Sequence, residues 1–121
     1  MIKQIEEDFS FIKDHPDIIA LILFGSHVSN QNNIRSDIDI CLVVPNKNLY
    51  EIYKYVMQNL KSNQDKYDIR FFEELPLYIQ GEIIEDGKII FCKDEPSLFE
   101  YFYNFIKLWE DQKLKLRILS L

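Results

Sequence analysis

Asp37 and Asp39 flank a single isoleucine in the run DIDICLVVP, and the pair Gly25-Ser26 stands ten residues ahead of them. In an extended strand, residues i and i+2 face the same side, with α carbons about 6 to 7 Å apart. Two carboxylates held that close repel, so in an empty site one is pushed toward protonation. A divalent cation between them removes the conflict. No thiolates and no histidine pair fall at metal spacing, so the ligands are oxygen only, which favours Mg²⁺ or Mn²⁺ over zinc. Gly25 ends an apolar run and lets backbone approach a ligand closely. The polar segment after it can open a short helix whose free amides face an anion, with the Ser26 hydroxyl adding one hydrogen bond to a phosphate oxygen. A third carboxylate on a neighbouring strand would complete a two-metal site, and Asp68, in the otherwise apolar and aromatic YDIRFF, is the candidate. Together these are the parts that bind a nucleoside triphosphate with its metals.

The elements that must position these residues follow from periodicity. Ile2, Ile5, Phe9 and Ile12 recur at helical spacing, and Pro16 stops the helix. Residues 17–24 form a nearly continuous apolar run that fits a strand buried on both faces. A second strand runs from Asp37 until Pro45 closes it, with the two carboxylates on one side. Leu49, Ile52, Tyr53, Val56, Met57 and Leu60 keep helical period behind the potential cap Asn48, which predicts a crossover helix back to the sheet. A third strand has Tyr67, Ile69 and Phe71 on one side and Asp68 and Arg70 on the other. Pro76 opens a helix to about Glu85, Asp86-Gly87 turns, KIIFC makes a fourth strand, and a long helix starts near Pro96. The expected fold class is mixed α/β, a central mixed sheet of about four strands flanked by helices, with a long C-terminal helix.

Composition narrows the function. At 121 residues the chain fits one domain, 1–121, with a single core. A net charge of -6 opposes direct nucleic-acid binding. Cys41 and Cys92 sit in apolar runs and read as buried small hydrophobes of a reducing compartment. With no apolar run of membrane-spanning length and an acidic start, the expectation is a cytoplasmic protein without membrane contact.

The stretch FGSHVSNQNNIRSDIDICLVV resembles the minimal nucleotidyltransferases of the DNA polymerase β superfamily, which pair Gly-Ser with Asp-x-Asp ten residues on. A looser similarity continues through YDIRFFEELPLYIQGEIIEDGKIIF, so that residues 18–92 are covered. The resemblance implies two Mg²⁺ ions and transfer of a nucleoside monophosphate from an NTP, with ATP the expected donor, to a hydroxyl. Position by position, Gly25 and Ser26 match the phosphate-holding pair, Asp37 and Asp39 the metal pair, and Asp68 the third carboxylate. Chains of this size are similar to the antitoxin half of HEPN/MNT toxin-antitoxin pairs, which implies adenylylation of a tyrosine on a partner HEPN-type ribonuclease. His27 and Asn30 depart from the family's usual Arg and Gly. Asn tolerates a left-handed backbone, whereas His27 removes a permanent cation that Arg35 is available to replace.

Plainer readings stand beside these. Asp37 and Asp39 could line a solvated strand face, Gly25-Ser26 could be a simple turn, and Asp68 could pair with Arg70 or Lys66. Cys41 is expected to pack beneath the carboxylates, and Glu73-Glu74 to be a solvated face. A metal site of a glycosyltransferase would need a longer chain. Phe99, Tyr101, Phe102, Tyr103, Phe105 and Trp109 cover more than one face of the final helix, which suits a partner or self-association surface. The alternative function is therefore a binding module that neutralises a partner by contact through that helix.

Overall fold

The computed structural model describes residues 1–25, 37–45 and 47–120. The opening helix α1, Ile2–Asp8, is shorter than its apolar spacing predicts. At Phe9 (φ -104, ψ 15) the backbone leaves the α conformation, and Ser10–Asp14 tighten into a 3-10 turn held by Ile12 N–H on the Phe9 carbonyl at 3.0 Å. Ile5, Phe9 and Ile12 are buried all the same, so the tighter turn keeps the apolar stripe on the core.

Four strands form one mixed sheet. β1 (Ala20–Phe24) pairs antiparallel with β2 (Ile38–Val43) on one side and with β4 (Lys88–Cys92) on the other. β3 (Tyr67–Phe71) lies parallel to β2, giving the order β3-β2-β1-β4. A parallel neighbour needs a long crossover, and the helix α2 (Leu49–Leu60) supplies it. Asn48 caps α2 by accepting from Glu51 N–H at 3.3 Å, and Lys61, at φ 57, ends it. A 3-10 segment, Lys61–Lys66, that the sequence did not announce then leads into β3.

Alternation sorts the sheet into two faces. Leu21, Leu23, Ile40, Leu42, Tyr67, Ile69 and Phe71 pack with α1 and with Ile52, Val56 and Leu60 of α2. Ala20, Ile22, Cys41 and Val43 pack with Phe72, with Ile83 of α3 (Leu77–Asp86) and with Leu98 and Phe102 of α4 (Glu95–Leu119). Asp94 caps α4 by accepting from Ser97 N–H at 3.2 Å, with Pro96 in the first turn. α3 and α4 meet where Gly81 lies against the Trp109 indole, and Trp109 Nε1 donates to Glu85 Oε1 at 3.0 Å.

Two expectations are corrected. Cys92 is half-buried, because β4 is an edge strand. Glu73 is not a solvated face: Val44 N–H donates to both its oxygens at 3.1 Å, and Tyr101 Oη donates to Oε2 at 2.8 Å. Its carboxylate ties the end of β2 to α4, and burial outweighs those hydrogen bonds to raise its pKa above the usual carboxylate range. Among the described residues, no helix is long and apolar enough to cross a membrane.

Candidate active site

The carboxylates gather at the end of the sheet where β1 finishes and β2 and β3 begin. Asp37 is exposed just ahead of β2, and Asp39 is half-buried within it. Asp39 is the register partner of Asp68 on the parallel strand β3. Register partners on neighbouring strands face the same side about 4.8 Å apart, so Asp39 and Asp68 stand side by side, with Asp37 on that face two residues earlier. This is the Cys41 face, the one that α3 and α4 cover further along.

Phe24 is the register partner of Asp39, which brings the end of β1 against the same carboxylate. Gly25 follows with φ +80, a conformation that favours glycine. A Cβ at Gly25 would meet Asp39 Oδ2 at 2.4 Å, so only a residue without a side chain lets β1 end this close to the carboxylate. Ser26, His27, Asn30 and Arg35 lie outside the described residues.

Asp68 has a partner in Arg70, as the plainer reading allowed. Nε donates to Oδ1 at 3.1 Å and Nη2 to Oδ2 at 3.4 Å. Arg70 shares the face of Asp68 because it lies two residues on in the same strand. The hydrogen bonds and charge of Asp68, with a smaller contribution from Asp39, raise its guanidinium pKa further. Beside this pair an open groove of about 420 Å³ runs along the free edge of β3, lined in part by Tyr50, Tyr53 and Glu74.

The donor set suits a hard divalent cation: carboxylate oxygens on one face, with the Gly25 backbone drawn close against Asp39. Among the described residues, no three acidic, histidine or cysteine side chains are already drawn together as a metal cluster. The structure thus brings Asp39 and Asp68 into register while Asp68 is turned to Arg70. Cys41 is fully buried and its thiol pKa is raised by burial, so it packs behind the carboxylates as expected.

One supporting contact escaped sequence reasoning. Tyr67, the residue before Asp68, donates its hydroxyl to Asp8 Oδ2 at 2.5 Å, and its ring meets Phe9 edge-on at 4.9 Å. Asn63 Nδ2 donates to the other Asp8 oxygen at 3.4 Å. The end of α1 therefore anchors the start of β3. The one local signal was a tyrosine at an inward strand position, whose hydroxyl needs a partner once buried.

Comparison with known proteins agrees with this architecture. The family described as polymerase beta, nucleotidyltransferase matches residues 6–96. The chain is 45% identical over 100 residues, 83% of its length and 76% of the relative's, to MJ1547 of Methanocaldococcus jannaschii, assigned by name as a protein adenylyltransferase. Its fold is similar to a chain in a crystal structure of a toxin-antitoxin with AMP-PNP, at a TM-score of 0.71 and 16% identity over 98% of this chain and 94% of that one. It is also similar, at a TM-score of 0.66 and 15% identity over 98% and 92%, to a chain in a structure of tri-AMPylated Shewanella oneidensis HEPN toxin in complex with MNT antitoxin. At such identities these last two likenesses concern the fold.

Proposed function

Because the chain belongs to the polymerase β nucleotidyltransferase family, we propose that it transfers AMP from ATP to a hydroxyl of a partner protein, a tyrosine of a HEPN-type toxin, and so acts as an antitoxin. The observation that carries this reading is the register of Asp39 with Asp68 beside Gly25. The adenylyltransferase assignment of the 45% identical relative supports AMP as the group transferred. The AMPylated toxin in one structure of similar fold supports the choice of acceptor.

In this reading Asp37, Asp39 and Asp68 would hold two Mg²⁺ ions together with the triphosphate. When bound, the ions supply charge to steady the leaving pyrophosphate and to ease ionisation of the attacking hydroxyl. Gly25 would keep side-chain atoms away from the phosphates, and the family resemblance assigns Ser26, outside the described residues, to a hydrogen bond with one of them. The bond between the α-phosphorus and the pyrophosphate oxygen breaks as the acceptor oxygen bonds to that phosphorus. The hydroxyl proton leaves toward Asp68. A small domain leaves little room for a large acceptor, so the acceptor protein itself completes the site. Labelled ATP, Mg²⁺ and the toxin together should label the toxin, while Asp39→Asn should not; equal label with the variant rejects the assignment.

A second reading rests on α4. Phe99, Tyr103, Leu108, Leu114, Leu116 and Ile118 are exposed along it, and an apolar groove of about 330 Å³ runs between its first half, Ile83 and Ile89. Such a surface suits a binding module that silences its partner by contact. Here Asp37→Asn and Asp39→Asn would leave neutralisation intact.

A further inference from the structure

The fork of Arg70 on Asp68 engages both carboxylate oxygens, at 3.1 and 3.4 Å. While it holds, Asp68 has neither oxygen fully available to a cation. Neither partner is locked in place, since the Arg70 side chain is 58% exposed and that of Asp68 37%. Exposed ion pairs of this kind are weak, and a doubly charged ion in direct oxygen contact outcompetes them. The pair also offsets the repulsion that Asp39 and Asp68 feel as neighbours across β2 and β3. Arg70 keeps its charge at any working pH, so this occupancy is relieved by another cation and not by titration.

We propose that Arg70 is a displaceable occupant of the metal site: its guanidinium holds Asp68 before metal arrives, a divalent cation takes Asp68 from it, and the freed guanidinium turns to the phosphate chain on the same face. This rests on the metal-dependent reading above and assigns a positioning residue to it. The charge that holds Asp68 becomes a charge that holds the nucleotide. Metal and nucleotide binding are thereby coupled through one side chain.

The test titrates Mn²⁺ alone, followed by the paramagnetic resonance signal of free Mn²⁺, into wild type, Asp39→Asn, Arg70→Gln and Arg70→Lys. Binding by wild type that is lost in Asp39→Asn establishes the site itself, independently of Arg70. Arg70→Gln should then bind Mn²⁺ about two- to fivefold more tightly, the scale on which an exposed ion pair competes. Arg70→Lys, which keeps the charge and loses the fork, should fall between it and wild type. With Mn²⁺ saturating, a non-hydrolysable ATP analogue should bind Arg70→Gln more weakly than wild type, so the two affinities move in opposite directions. Mn²⁺ affinity in Arg70→Gln equal to or below wild type overturns the proposal while leaving the site intact. Arg70→Lys matching wild type overturns it too, since charge without the grip would then suffice. A wild type that binds no Mn²⁺ overturns both this inference and the reading it rests on.

Discussion

A methyl group added at Gly25 would stand 2.4 Å from Asp39 Oδ2, so the glycine at the end of β1 and the carboxylate on β2 share one space. The same glycine sits at φ +80, where an L side chain is strained. Gly25→Ala therefore combines a backbone cost of about 1 kcal/mol with forced movement of the Asp39 carboxylate. Mn²⁺ binding should weaken at least about tenfold, the loss expected when a charged ligand is misplaced. Thermal unfolding separates the two effects, because the midpoint should drop by only a few degrees while metal binding collapses.

The α3–α4 contact gives a second prediction away from the chemistry. A Cβ at Gly81 would lie 2.5 Å from the Trp109 indole. Gly81→Ala should push the ring off α3, weaken the Trp109–Glu85 hydrogen bond and destabilise the fold by about 1 to 3 kcal/mol, as overpacking does. Trp109 is the only tryptophan in the chain, so its fluorescence reports this movement directly, and an unchanged spectrum would contradict the predicted shift.

Glu73 gives a pH dependence with a definite sign. Its folded pKa is raised above the ordinary carboxylate value, chiefly by burial. A carboxyl of that kind binds more protons folded than unfolded, so its stabilising contribution is complete below the unfolded pKa and is lost as pH rises through the folded pKa. Glu73→Gln keeps an acceptor for Val44 N–H and Tyr101 Oη and removes the titration. The stability difference between wild type and Glu73→Gln should therefore favour the variant increasingly as pH rises from about 4 to 7. Unfolding midpoints across that range check it, and a difference that does not change with pH would count against it.

What the sequence disclosed and what it withheld divide by distance along the chain. The Gly25 and Asp37/Asp39 spacing, the Asp68–Arg70 proximity, the cap at Asn48 and the start of the long helix near Pro96 are local patterns, and each stands where the local sequence placed it. The register of Asp39 with Asp68 spans 29 residues and the crossover helix α2, so alternation could place both side chains on faces without pairing the strands. The Glu73–Tyr101 and Tyr67–Asp8 hydrogen bonds join residues 28 and 59 apart, and no local pattern names the partner of either. Adjacent acids such as Glu73-Glu74 read as solvated because ionised carboxylates seldom lose water without partners, and here the partners come from β2 and α4. At Phe9, a stripe that fits both an α-helix and a helix followed by a 3-10 turn could not reveal the break.

The central claim is that Asp37, Asp39 and Asp68 act together on a metal-bound triphosphate. Calorimetric titration of a non-hydrolysable ATP analogue, with and without Mg²⁺, into wild type and the three Asp→Asn variants tests it most directly. Wild type should bind only with Mg²⁺ present, and each variant should lose at least about tenfold in affinity, the scale of a charged contact removed. Binding that is indifferent to Mg²⁺, or that survives unchanged in all three variants, would contradict it.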